Sequence, residues 1–177
     1  MIQTWESVLN APLATAAGTA YASSTTLTDV SPTPNFVLPA NSLFPGAALK
    51  LTAFGTFSTT GTPTLLLGFY YGAVAGTALA ATLANTTGSG VTNVPWRLEI
   101  EVICRSAGSS GTVMCSGTAL IGTSVSAAGI APLPQIALAT VTIDTTAAKA
   151  ITVGAQWGTS SACNTLTCHG FQIESRV

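Results

Sequence analysis

The sequence predicts an all-β fold, an antiparallel β-sandwich of jelly-roll type with an extended N-terminal arm. Three observations lead there. In Val94 to Arg105, Trp96, Leu98, Ile100, Val102 and Cys104 share one face, while Arg97, Glu99, Glu101 and Arg105 share the other. That period of two marks a strand with one buried side. From Gly46 onward, short strand signals recur between Gly and Pro turn signals. No amphipathic helix of any length is legible, and only Ala73 to Ala84 leaves room for one.

Residues 1–45 read as the arm, because Pro12, Pro32, Pro34, Pro39 and Pro45 fall within them. Proline offers no backbone donor and interrupts ladders, so an extended, irregular course is expected. Trp5, Leu9, Leu13, Tyr21 and Phe36 are spaced along it as hydrophobic anchors, expected to serve as assembly contacts. Such an arm is either a strap over its own core or a tether on a neighbour. Strand signals at Thr25 to Val30 and Phe36 to Leu38 leave residues 25–38 open to belonging to the sandwich.

Residues 46–177 form the expected sandwich domain. Ala48 to Phe57 places Leu49, Leu51, Ala53 and Phe57 in one phase and Lys50, Thr52 and Thr56 in the other. Thr64 to Ala84 carries no charge and spaces Gly68, Gly72 and Gly76 like a membrane-helix dimer motif. However, Pro63 opens the stretch and the nearest cations are Lys50 and Arg97, too distant to anchor its ends. Leu65 to Tyr71 therefore reads as a buried strand, Gly72 to Gly76 as a turn, and Thr77 to Leu83 as a weaker strand. A hairpin turn at Ala107 to Gly111 leads to Val113, Cys115, Gly117, Ala119 and Ile121, in phase with one another. Strands are expected at Gln135 to Ile143, at Ala148 to Trp157 and at Leu166 to Glu174, the last with a bulge near Gly170.

Charge excludes several functions. Only 6% of residues are charged, against roughly a quarter in ordinary soluble domains, and 47% are hydrophobic. A monomer so poor in ions tends to associate. Covering a Ser/Thr/Ala/Gly surface also takes no ion out of water, so the chain is expected to form a homo-oligomer. Five scattered Lys and Arg give no cation cluster for phosphates, so no nucleic-acid partner is expected. No membrane partner and no export signal are expected either.

Catalytic candidates are few. His169, the single histidine, adjoins Cys168, but neighbouring strand residues face opposite ways. Glu99 and Glu101 share a face at about 7 Å, inside the range of an inverting carboxylate pair. An ion-pair ladder with Arg97 and Arg105 accounts for them without a cleft. No enzyme activity, cofactor or metal is expected. The four cysteines read as reduced thiols, yet a turn centred on Ser109-Ser110 would set Cys104 directly opposite Cys115, the pair expected to bridge if oxidation occurs. Cys163 and Cys168 flank a short loop and form a second possible pair.

The segment Pro45 to Gly55 leads to Thr62-Pro63-Thr64-Leu65; Trp96-Arg97-Leu98-Glu99, Arg105 and Gly111-Thr112 follow, then Ala155-Gln156-Trp157 and Asn164 to Thr167. Together these resemble jelly-roll virion proteins of tailed bacteriophages. The resemblance implies a capsid decoration (cement) or head-fibre protein, trimeric, located in the virion and assembled in the host cytoplasm. Its implied partners are the major capsid protein or other virion proteins, with the N-terminal segment docking to the shell. The alternative is a tail or fibre module binding host surface glycans, for which Tyr70, Tyr71 and Trp157 are the candidate aromatics.

Overall fold

The computed structural model describes residues 6–8, 17–124 and 127–176. They form two antiparallel sheets packed face to face, with no helix among the described residues. The larger sheet follows the order β1 (Glu6–Val8), β14 (Thr165–Arg176), β5 (Ala48–Ser58), β9 (Val94–Ser106), β10 (Gly111–Ser124) and β11 (Ala127–Leu133). Two further segments join it, β2 (Tyr21–Ala22) on β14 and β12 (Thr140–Ile143) on β10. The smaller sheet runs β3 (Thr28–Asp29), β13 (Lys149–Trp157), β6 (Thr64–Tyr71), β7 (Thr77–Ala81), with β4 (Val37–Leu38) on β13 and β8 (Asn85–Thr86) on β6.

The alternation read from the sequence is the alternation of burial. Along β5, Leu49, Leu51, Ala53, Gly55 and Phe57 are buried, while Lys50, Thr52, Phe54 and Thr56 face out. Along β9, Val94 to Cys104 is buried at every second residue. Facing these from the smaller sheet are Leu65, Leu67, Phe69, Ile151, Val153 and Trp157. Two aromatic pairs bridge the layers: Phe57 of β5 meets Trp157 of β13 edge-on at 6.2 Å, and Phe69 of β6 stacks on Phe171 of β14 at 5.8 Å.

The apolar stretch from Thr64 to Ala84 is a strand, a turn and a second strand, and among the described residues no helix is long and apolar enough to cross a membrane. The bulge expected near Gly170 is there: the β5–β14 register shifts between Cys168 and Gly170, leaving His169 unmatched. Three details differ from expectation. Of Gln135 to Ile143, only Thr140–Ile143 is strand, because residues 134–139 form the connection from β11 to β12, with the Gln135 amide turned to the Ala81 carbonyl of β7. β11 was not foreseen: it is an edge strand exposed at most positions, so it carries no alternation. Of the two courses open to the N-terminal stretch, its described residues follow the strap, and they differ from expectation in how far they enter the sandwich. Residues 6–8 pair with Glu174 to Arg176, the Gly18 amide donates to the Cys168 carbonyl at 2.8 Å, and Tyr21 pairs with Leu166. This segment therefore covers the outer edge of β14. Tyr21, Val30, Leu38 and Leu43 enter the core, so residues 17–45 belong to the sandwich.

Candidate interaction surfaces

The outward face of the larger sheet gathers most of the molecule's ions. Lys50 on β5 lies between Glu101 on β9 and Glu174 on β14, and Thr52 lies beside Glu99. The Lys50 ammonium meets one Glu99 oxygen at 3.0 Å and the Arg97 guanidinium meets the other at 2.7 Å. Arg176 donates to Glu101 at 2.8 Å and approaches Glu174 at 3.9 Å. The hydrogen bond from Lys50, assisted by that from Arg97, holds the Glu99 carboxyl below its ordinary range. The ladder expected for Glu99 and Glu101 is thus formed, although Glu101 uses Arg176 where Arg105 was expected. His169, exposed at the bulge, bonds to the Thr56 hydroxyl at 2.9 Å, while Cys168 is buried behind it.

At the centre of this face one row departs from the polar pattern. Phe54 sits opposite Gly170 on one side and Arg97 on the other, and the row continues through Leu120 to Ile130 at the sheet edge. Phe54 is 50% exposed. Its ring occupies the space above Gly170, where an added Cβ would meet ring carbons at 2.5 Å. An aromatic covering a strand glycine shields the bare backbone there.

The flank between β7, β11 and β12 is the opposite in character. No Asp, Glu, Lys or Arg occurs between Lys50 and Arg97 or between Arg105 and Asp144, so β6, β7, β8, β10, β11 and β12 bring no ion to it. Gln135 fastens residues 134–139 across it: its amide donates to the Ala81 carbonyl at 3.2 Å, and its side-chain oxygen accepts from the Leu83 amide at 2.7 Å. Leu83, Ile136 and Leu138 project from the flank at 56, 69 and 57% exposure, with Ile130 at the corner, 74% exposed. Beside Leu83 and Ile136 lies an apolar hollow of about 260 Å³, lined by them with Leu79, Cys115 and Val141.

Trp5, Leu9 and Leu13 lie outside the described residues. Tyr21 is buried in its own domain with its hydroxyl against the Thr26 carbonyl at 2.6 Å, and Phe36 packs on the same core. Both therefore anchor the strap. The aromatics expected to face a glycan are inside: Trp157 is fully buried in the core, and Tyr71 is buried in the same core with its hydroxyl donating to the Asp144 carbonyl at 2.9 Å. Tyr70, on the other face of β6, is buried over Gly154. Phe54 is the exposed strand aromatic, and the legible signal for it was an aromatic in the polar phase of β5.

The direct apposition of Cys104 and Cys115 is corrected by register. A shift between Thr112 and Val113 leaves Arg105 unmatched, so Cys104 faces Val113 and Cys115 faces Val102. Diagonal neighbours stand roughly 7–8 Å apart, beyond disulfide reach without backbone movement. Cys163 is exposed and Cys168 buried, and all four thiols are free. Burial pushes Cys115 and Cys168 up to about 12 and raises Cys104 as well. Under native conditions Ellman's reagent is therefore expected to titrate the Cys163 thiol promptly and the other three only on unfolding. Prompt loss of a second thiol would contradict this.

No protein-family model and no curated protein matches the chain.

Proposed function

We propose that the chain is a non-enzymatic structural subunit that packs against copies of itself through the ion-free flank. The observation that carries this reading is the projection of Leu83, Ile136 and Leu138 around an apolar hollow on a side without charge. Edges of sheets are ordinarily guarded by charge, and a bare apolar flank beside an open edge strand is the signature of a contact. Knobs and a hollow on one surface also suit like-with-like packing, because no equal charges meet when a copy approaches. In this reading, which the resemblance supports, the subunit is a trimeric, jelly-roll capsid decoration or head-fibre protein of a tailed-phage virion. Glu99 and Glu101 support a structural role, since both carboxylates are engaged by cations.

Light scattering and sedimentation test the assembly. The wild-type chain is expected to be a homo-oligomer at about 100 µM, and a variant carrying Ile136→Lys and Leu138→Lys a folded monomer, with the contact weakened at least about a hundredfold. A monomeric wild type at that concentration would sink the proposal. Mass spectrometry of purified particles tests the virion setting.

A further inference from the structure

We propose that a second hollow, at the β4 end of the sandwich, is the seat of Trp5, whose indole locks the N-terminal strap over the edge of β14. The seat is independent of the assembly flank. Trp5 itself lies outside the described residues, immediately before β1.

The hollow has a volume of about 260 Å³ and lies where the loop between β4 and β5 meets the inner face of the larger sheet. Its apolar walls include Phe36, Leu43, Phe44 and Leu49, and its polar residues are Ser42 and Ser175. No charged residue lines it among those described. Phe44 is 50% exposed, an aromatic half open to water beside an apolar cavity.

The ladder leads from this hollow to β1. Ser7 stands opposite Ser175, which stands in turn opposite Leu49, and both Ser175 and Leu49 line the hollow. Partners across a ladder share a face of the sheet, and so do residues two apart along a strand. Carried one residue before Glu6, the ladder sets position 5 on the face of Ser175 and Leu49. It falls about 7 Å from Ser7, the rise of two strand residues. The hollow extends the same way, because Ala47, two residues before Leu49, also lines it. Trp5 is therefore the apolar residue of the N-terminal segment that the register delivers to this cavity.

The lining suits an indole. Phe36 and Phe44 supply rings for aromatic contact. Hydroxyl oxygens accept from an indole N–H, and Ser42, which donates to the Pro39 carbonyl at 2.7 Å, keeps its lone pairs for one. β1 also needs an anchor. Three residues at a sheet edge make too few ladder bonds to offset the backbone freedom they lose. Tyr21 fixes the strap where it rejoins β14, with its hydroxyl on the Thr26 carbonyl. Trp5 fixes the other end. Pinned at both, the strap guards the β14 edge against a foreign strand.

Nuclear Overhauser spectra of the full chain test the seat, with the Trp5 signals assigned by their loss in Trp5→Phe. The Trp5 ring protons are expected to contact the Leu43 methyls and the Phe44 ring. Trp5→Ala is expected to speed amide exchange in residues 6–8 at least about tenfold while β5 and β9 exchange as before. Phe44→Glu, made at a half-exposed position, is expected to speed the same amides from the other side of the contact. Absence of contacts between Trp5 and the hollow would overturn the proposal, as would unaltered exchange of residues 6–8 in Trp5→Ala. Contacts seen only between differently labelled copies would give the seat to the Trp5 of a second chain and overturn it equally.

Discussion

Trp157→Ala is expected to lower stability by about 3–5 kcal/mol, the range for deleting a fully buried large aromatic. In a chain of this size each kcal/mol moves the melting midpoint about 2–4 °C, so a fall on the order of 10 °C should appear by calorimetry. The indole is 0% exposed and lies edge-on against Phe57, joining the two sheets. Alanine would leave a void at the layer junction that strands on both sides are too regular to fill. Trp157→Phe separates two contributions. The Trp157 indole N–H meets no acceptor among the described residues, and an unpaired buried donor carries a penalty of about 1–3 kcal/mol. Phenylalanine loses some packing but removes that donor, so its cost should be well under half that of alanine. Equal losses for the two variants would show that the N–H is satisfied after all.

Gly55→Ala is expected to be nearly as damaging, although it adds only a methyl group. Gly55 faces inward on β5 with Trp96 beside it on β9. An added Cβ would run into the Thr167 backbone carbonyl of β14 and meet the Trp96 ring at 2.9 Å. The carbonyl belongs to a paired strand and cannot move alone, so the sheet must shift; overpacking of this kind costs about 1–3 kcal/mol, and more where backbone is displaced. Combining Gly55→Ala with Trp96→Phe frees the ring contact and leaves the carbonyl clash. The double variant should therefore recover part of the loss in a denaturant titration. An unchanged midpoint for Gly55→Ala alone would refute the packing described at this crossing.

What was legible in the sequence follows from where water lies. β5 and β9 were readable because each has one dry face and one wet face, and side chains record that difference at every second residue. β11 was not, since Ala127 to Pro132 is exposed or half-exposed on both faces and records nothing. The Cys104–Cys115 register failed for another reason. The hairpin closes with Thr112 opposite Ser106, one residue off the expected turn, and the unmatched Arg105 adds a second, so the pairing slips by two and each strand keeps its alternation. Tyr70 and Tyr71 read correctly as strand residues, but their burial on both faces of β6 depends on the residues that cover that strand, which no local pattern reveals. Phe54 was open to view as the one aromatic out of phase with its neighbours. Its meaning required knowing that Gly170 lies opposite, more than a hundred residues along the chain.

That distance has a consequence for synthesis. β5 stands between β9 and β14, yet β14 follows every other described strand. Until it emerges, the Ala48–Ser58 ladder presents an open row of amides and carbonyls beside unshielded Leu49, Leu51 and Phe57. The nascent chain is thus stickiest while still tethered to the ribosome. Slow folding follows from a topology in which early and late segments must find each other before the sandwich can close.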